Sequence, residues 1–404
     1  MTADVLDRRR LEAAKVAVGV TFATNGLAFG GWLARAPAVR DDLSLSPAGL
    51  GLLLLCLSGA AVAAIPLAGP LVQRCGPART VLLGSMSVVL GLVGLGVGTA
   101  AGSVLVAGAG LIAIGMGNST WDVAMNVEGA DVERRLGRTL MPRFHAGFSL
   151  GTVAGAGLSA AAAAASVTVT VQVLVMAAVA AVMTLLTVRR FLPVPKIHER
   201  QARGQVGIAW REPRTLLIGV IMLGFGFTEG AANDWLAIGL VDGYGASETV
   251  GAVGFGFFVT AMTLGRLFGG AAIERWGRVR TLRLTATSAL AGLLLAVSGI
   301  GVPAVLAGAL LWGAGASLGF PIGMSAAADD PSRAAIRVSV AGSIGYGAFL
   351  AGPPLIGFLA EHVGVLRALL VVAAAIGLGV LASGAARPLA GALAGAVTGA
   401  ESRR

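Results

Sequence analysis

Between short islands of charge the chain is written in apolar runs of about 20 residues, the length a helix needs to cross the hydrocarbon core of a bilayer. No other feature restricts its fold as tightly. Only 12% of its 404 residues are charged, against about 25% in a soluble domain, and mean hydropathy is +0.84. One soluble core could not bury so much apolar surface. The 61 glycines suit the same class, because helices in lipid approach one another through small residues. The reading is an all-α integral membrane protein. Twelve spans are predicted, at 14–34, 48–70, 79–99, 103–127, 141–163, 167–188, 214–237, 248–272, 282–300, 303–325, 338–360 and 364–384.

The cations fix the topology. Loops on the side where the chain starts hold Arg8, Arg9, Arg10 and Lys15, then Arg74 and Arg79, then Arg134, Arg135 and Arg138. The long connector and later loops on that side add Arg189, Arg190, Lys196, Arg200, Arg203, Arg211, Arg214, Arg275, Arg278, Arg280, Arg283, Arg333 and Arg337. The opposite loops offer Arg35, Arg40 and Arg367. Basic loops stay in the cytoplasm, so both termini are predicted there. The same bias explains the net charge of +10 without a nucleic-acid partner. Arg8–Arg10 and Ala34-Arg35-Ala36 imitate a signal peptide and its cleavage site. The run Val16–Leu33 is too long for that, and its sequence recurs later, so it reads as a retained first helix.

The recurrence divides the chain. Phe22 and Trp32-Leu33-Ala34 return as Phe225 and Trp235-Leu236-Ala237, half a chain length on. Gly69-x-Leu71-x-Gln73-Arg74-x-Gly76 after the second span returns as Gly270-x-Ala272-x-Glu274-Arg275-x-Gly277 after the eighth, and Gly115-x-Gly117 as Gly313-x-Gly315. The expected layout is an N-terminal six-helix half (1–188), a cytoplasmic linker (189–213) and a C-terminal six-helix half with a short cytoplasmic tail (214–404). Parallel repeats of this kind imply a midplane substrate site between the halves.

These loops resemble the G-x-L-x-D-R-x-G-R-[RK] signature of the major facilitator superfamily. Gly69, Leu71, Arg74 and Gly76 fit in the first copy, with Gln73 in place of the acid; Gly270, Glu274, Arg275, Gly277 and Arg278 fit in the second. Gly265-Arg266 also looks like the family. The resemblance implies the twelve-helix major facilitator fold and alternating access. It implies a latching role for the loop residues Arg74, Glu274 and Arg275, one that Gln73 puts in question for the first half. Asp122-Val123-Ala124-Met125-Asn126, Arg143-Phe144-His145, Gly323-Met324-Ser325, Asp329-Asp330-Pro331 and Gly345-Tyr346-Gly347 further resemble the rhizopine-associated, MosC-like branch of bacterial inner-membrane proteins, which sets the expected location.

Polar groups inside the spans are the site candidates. Asn118, Asp122 and Asn126 fall at i, i+4 and i+8 and form one stripe on a helix. A carboxylate within a span costs about 2.5–3.5 kcal/mol and marks a site by default; hydration near the cytoplasmic interface is the plainer reading of Asp122. The resemblance implies that the first, fourth, seventh and tenth spans line a cavity. Asn25 and Asn118 can each donate and accept there, either to a solute or as glue between helices. Glu229 and Asn233 lie at i, i+4 on the seventh span among Gly224, Gly226 and Gly230. Asp122 and Glu229 are the proposed proton-coupling pair, one of them taking up a proton as the cavity opens one way and releasing it as it opens the other. Trp121, Trp312 and Tyr346 suit a sugar face or an organic cation, with packing or interface anchoring as the alternative. Arg143 and His145 are placed to pair with Asp122 across the short connection between the fourth and fifth spans and to latch a gate. Arg266, deep in the eighth span, needs an acid or a carbonyl. Gly147, Gly151 and Gly155 form a ladder for helix contact.

Nothing suggests an enzyme. No G-x-x-x-x-G-K-[ST] loop is present. His145, His198 and His362 fall on separate segments without metal spacing, and no cofactor is implied. Cys56 and Cys75 are about 28 Å apart along one helix, too far for a disulfide. The sequence thus predicts a proton-driven transporter of a small polar organic solute, sugar-, polyol- or aminopolyol-like. A proton-driven exporter of amphipathic drugs is the alternative, and a non-transporting membrane sensor the second. Expected partners are the solute, protons and the lipid bilayer, with the chain acting as a monomer.

Overall fold

The computed structural model describes residues 3–45, 47–193, 207–246 and 248–389, and these are helical with no strand among them. Lys196, His198, Arg200 and Arg203 of the expected linker, and most of the expected tail, lie outside the described residues. In order come α1 (Ala3–Leu33), α2 (Ala36–Asp42), α3 (Pro47–Cys75), α4 (Pro77–Ala100), α5 (Val104–Leu136), α6 (Met141–Ala164) and α7 (Val169–Val188). The second half gives α8 (Pro213–Tyr244), α9 (Glu248–Val297), α10 (Val302–Ala316), α11 (Gly319–Ala327), α12 (Ala334–Val363), α13 (Val365–Ala368) and α14 (Val371–Ala382).

Eleven helical segments among the described residues are long and apolar enough to cross a membrane, where the sequence predicts twelve. The difference lies in α9. Its 50 residues would stretch about 75 Å as a straight helix, but Gly277 within it has φ 76° and ψ 162°. The helical run therefore turns where the eighth and ninth spans are expected to part. Gly76, its partner in the repeat, has φ 78° and ψ 161° and separates α3 from α4. Glycine alone takes this conformation cheaply, which is why the loop motif keeps it in both copies.

The repeat extends to packing. A Cβ on Gly115 of α5 would overlap the Leu57 carbonyl of α3, and one on Gly313 of α10 would overlap the Phe258 carbonyl of α9. Gly91 of α4 meets the backbone of Ile114 just as Gly292 meets that of Trp312. Bare backbone contact of this kind is how helices pack tightly in lipid.

By contact, residues Met1–Leu136, Phe144–Val206 and Pro331–Ser339 form one compact unit. Gly137–Arg143, Gly207–Asp330 and Val340–Arg404 form a second. Each unit holds its own set of polar side chains within its apolar helices.

Candidate functional site

In the first unit the predicted stripe is real. Asp122 (7% exposed) and Asn126 (0%) are both buried on α5, and Asn118 is half-buried one turn earlier. Asn126 Nδ2 donates to the Asp122 carbonyl at 2.9 Å and to Asp122 Oδ1 at 3.1 Å. Both are acceptors, so the amide nitrogen must face Asp122. Asn126 Oδ1 is left facing α6, where His145 Nε2 lies 3.1 Å away, and an N–H on Nε2 completes the bond. Asp122 and His145 are thereby joined through one amide. Phe22 of α1 closes over the imidazole, with ring centroids 5.2 Å apart.

The glycine ladder explains why α1 comes so near. Gly151 and Gly155 of α6 lie against the carbonyls of Ala23 and Leu27, and Gly26 of α1 against that of Phe148. Asn25 sits at this crossing. It is 1% exposed, and neither Nδ2 nor Oδ1 has a hydrogen-bond partner.

In the second unit Glu229 does not stand alone. Its Oε2 accepts from Arg266 Nη2 of α9 at 2.8 Å, with the Arg266 side chain 5% exposed and the Glu229 side chain 16%. Arg266 Nε also donates to the Ser317 carbonyl at 3.3 Å. That carbonyl is free for a local reason. A helix would pair it with the N–H four residues on, but residue 321 is proline and has none. The chain breaks between α10 and α11 at this point, and Arg266 thus obtains both the acid and the carbonyl that its burial demands.

The other predicted residues scatter. Trp121 and Trp312 are 0% exposed. Trp312 packs edge-on against Phe258 with centroids 6.0 Å apart, and both indole N–H groups are without an acceptor. Tyr346 is half-buried and edge-on to Phe320, at 5.3 Å. Asn233 is exposed, one turn beyond Glu229. Arg74, Arg143 and Arg275 are exposed and form no ion pair among the described residues. Of the two partners offered for Asp122, the structure connects His145, since two residues along a helix turn Arg143 to another face. Glu274 Oε1 accepts from the Thr139 N–H at 3.0 Å, within the second unit. Among the described residues no cluster of His, Cys, Asp and Glu could hold a metal, and Cys56 and Cys75 are unbonded.

A family model of the Major Facilitator Superfamily matches residues 18–238, more than half the chain. The chain belongs to the major facilitator superfamily. It is similar to the transporter y4wD of Sinorhizobium fredii, 33% identical over 87% of this chain and 93% of that one. It is also similar to the membrane protein MosC of Rhizobium meliloti, 28% identical over 89% of this chain and 86% of that one. Among solved structures it resembles FucP, the fucose:proton symporter of E. coli, with a TM-score of 0.78 and 14% identity over 91% and 97% of the two chains. As a major facilitator it is a multi-pass membrane transporter and not an enzyme.

Two acids of this major facilitator take positions that residue spacing did not reveal. Asp329, its side chain 5% exposed, holds Arg214 through Oδ2 and Arg278 through Oδ1, each at 2.7 Å. Arg214 also donates to the Ala326 and Arg387 carbonyls at 3.1 and 3.0 Å, and Arg278 to Ser325 Oγ at 2.7 Å. One carboxylate thus ties the start of α8, the turn within α9 and the end of α11. Glu128, two residues past Asn126, is 0% exposed and accepts from the Leu192 N–H at 2.7 Å, anchoring the chain just after α7. Asp329 lies in the Asp329-Asp330-Pro331 stretch that resembles the MosC-like branch, whereas the sequence signal for Glu128 is an acid at the end of an apolar run facing a basic loop.

Proposed function

We propose that this major facilitator moves a small polar organic solute, sugar-, polyol- or aminopolyol-like, across the bacterial inner membrane by alternating access coupled to protons. Both termini face the cytoplasm. The observation that carries the reading is Asn25. An amide buried at 1% exposure with both polar atoms unpaired costs free energy. A hydroxyl both donates and accepts, so a polyhydroxylated solute supplies what each end of that amide lacks. Asn118, half-buried on α5, is the second proposed contact.

Coupling rests on the chain from Asp122 through Asn126 to His145, where a proton arriving at either end changes the charge of a connected group. Glu229 is the second coupling candidate, with the difference that protonating it strands Arg266. FucP, which shares the fold, is a fucose:proton symporter, and the reading is in keeping with that.

The test is a thermal-shift screen of purified protein against polyols, hexoses, aminosugars and hydrophobic cations, run on wild type and Asn25→Ala. A ligand of the folded form raises the melting temperature by mass action. Stabilisation by a polyol or aminosugar that vanishes in Asn25→Ala is the expected result. Stabilisation by hydrophobic cations alone overturns the polar-solute reading and points to drug export.

A further inference from the structure

Arg35 lies in the turn between α1 and α2, just beyond the first span, and is only 8% exposed. Its Nη2 donates to the Val167 carbonyl at 2.9 Å, in the connection from α6 to α7. Nε and Nη1 are buried and have no acceptor. Among the described residues no carboxylate pairs with it. The nearest acids in sequence are spoken for or turned out: Asp41 holds Arg40 at 2.7 Å, and Asp42 is exposed. Gln172 Oε1 is itself unbonded and does not reach the guanidinium. The indole N–H of Trp32, one turn back and 1% exposed, is likewise without an acceptor.

The position is built. Gln172 Nε2 donates to the Gly31 carbonyl at 3.1 Å, and Ser159 Oγ donates to the same oxygen at 2.6 Å. Together they hold the last turn of α1 against α6 and α7, which brings Arg35 beneath Val167. The carboxyl ends of α1 and α6 offset part of the positive charge. They supply one acceptor to a group with five N–H bonds. A buried charge left without a counter-charge is strongly unfavourable, and a planar guanidinium is the side chain best matched to phosphate and carboxylate oxygens.

We propose that Arg35 anchors an oxyanion-binding site at the periplasmic end of the first helix, and that its ligand is a phosphate group. The group comes either from the head of an anionic lipid in that leaflet or from inorganic phosphate. This site is separate from Asn25 and does not depend on the identity of the transported solute.

Protein purified in a neutral detergent is melted in chloride and in phosphate at equal ionic strength. It is melted again in nanodiscs of phosphatidylcholine and of phosphatidylglycerol. A rise of roughly 3 °C near saturation is expected in at least one arm. A rise with phosphate in detergent assigns the soluble anion; a rise with phosphatidylglycerol alone assigns the lipid. Arg35→Met keeps the length of the side chain and drops the charge. It should melt at or above wild type in the phosphate-free buffer and lose the response, while Arg35→Lys keeps a weaker one. Wild-type melting that is indifferent to both phosphate and phosphatidylglycerol overturns the proposal, as does a full response in Arg35→Met. If Arg35→Met does not fold, the wild-type arms and Arg35→Lys still decide, since a Lys variant responding more strongly than wild type also overturns it.

Discussion

Arg266 Nη2 lies 2.8 Å from Glu229 Oε2, an ion pair between α8 and α9 inside helices that cross the bilayer. The two residues answer each other's cost of burial. Neither charge is favourable there alone.

Removing one partner should therefore hurt more than removing both. Glu229→Gln is expected to destabilise by about 3–5 kcal/mol, the usual penalty for stranding a buried charge. Glu229→Gln combined with Arg266→Met should recover most of that loss. Thermal unfolding of the three variants in one detergent measures it. A double variant that melts lower than Glu229→Gln contradicts the pairing.

Asn126 joins Asp122 to His145. Asn126→Leu fills similar volume and cuts the connection. On the proposed coupling, pH-gradient-driven transport of the solute should fall at least about tenfold, a loss of about 1.4 kcal/mol of coupling or more, with exchange across proteoliposomes retained. Asp122→Asn is expected to give the same separation of driven transport from exchange. If Asp122→Asn and Glu229→Gln both leave pH-gradient-driven transport intact, neither carboxylate carries the proton.

Gly115 and Gly313 occupy equivalent positions against carbonyls of α3 and α9. Ala at either should cost about 1–3 kcal/mol by overpacking, seen as reduced yield of folded protein and lower melting temperature. Gly108 lies on the same helix as Gly115 with open space around it. Gly108→Ala should be neutral or stabilising, by up to about 1 kcal/mol. Equal losses at Gly108 and Gly115 would show that close backbone contact does not set the effect.

Asp329 serves two guanidinium groups at once. Asp329→Asn leaves both short of charge, so it should destabilise more than Arg214→Gln or Arg278→Gln alone. Melting curves of the three variants rank them directly, and an Asn variant milder than either Gln variant would refute the clamp.

What the sequence disclosed follows from what residue spacing encodes. The stripe Asn118–Asp122–Asn126 was legible because helix period alone places it, and the Gly76 and Gly277 turns because a positive φ restricts the residue type. Contacts between spans are not written in any period. Glu229 and Arg266 each appear in the sequence as a buried charge in need of a partner, but nothing on either helix says that they face one another. The same gap hid Asp329 beneath Arg214 and Arg278, and Glu128 beneath Leu192. Asn233, one turn beyond the half-buried Glu229, is exposed, and helix period alone does not say how far one face stays covered. The segment count differed because a helical run can change direction at Gly277 without ending.

The break between α10 and α11 has a genetic corollary. Arg266 takes its second bond from the Ser317 main chain, so the identity of residue 317 matters little to that bond. The constraint is displaced to residue 321, whose missing N–H keeps the carbonyl available. Across a library of viable variants, position 317 should drift among small residues while position 321 resists every replacement that restores a backbone donor.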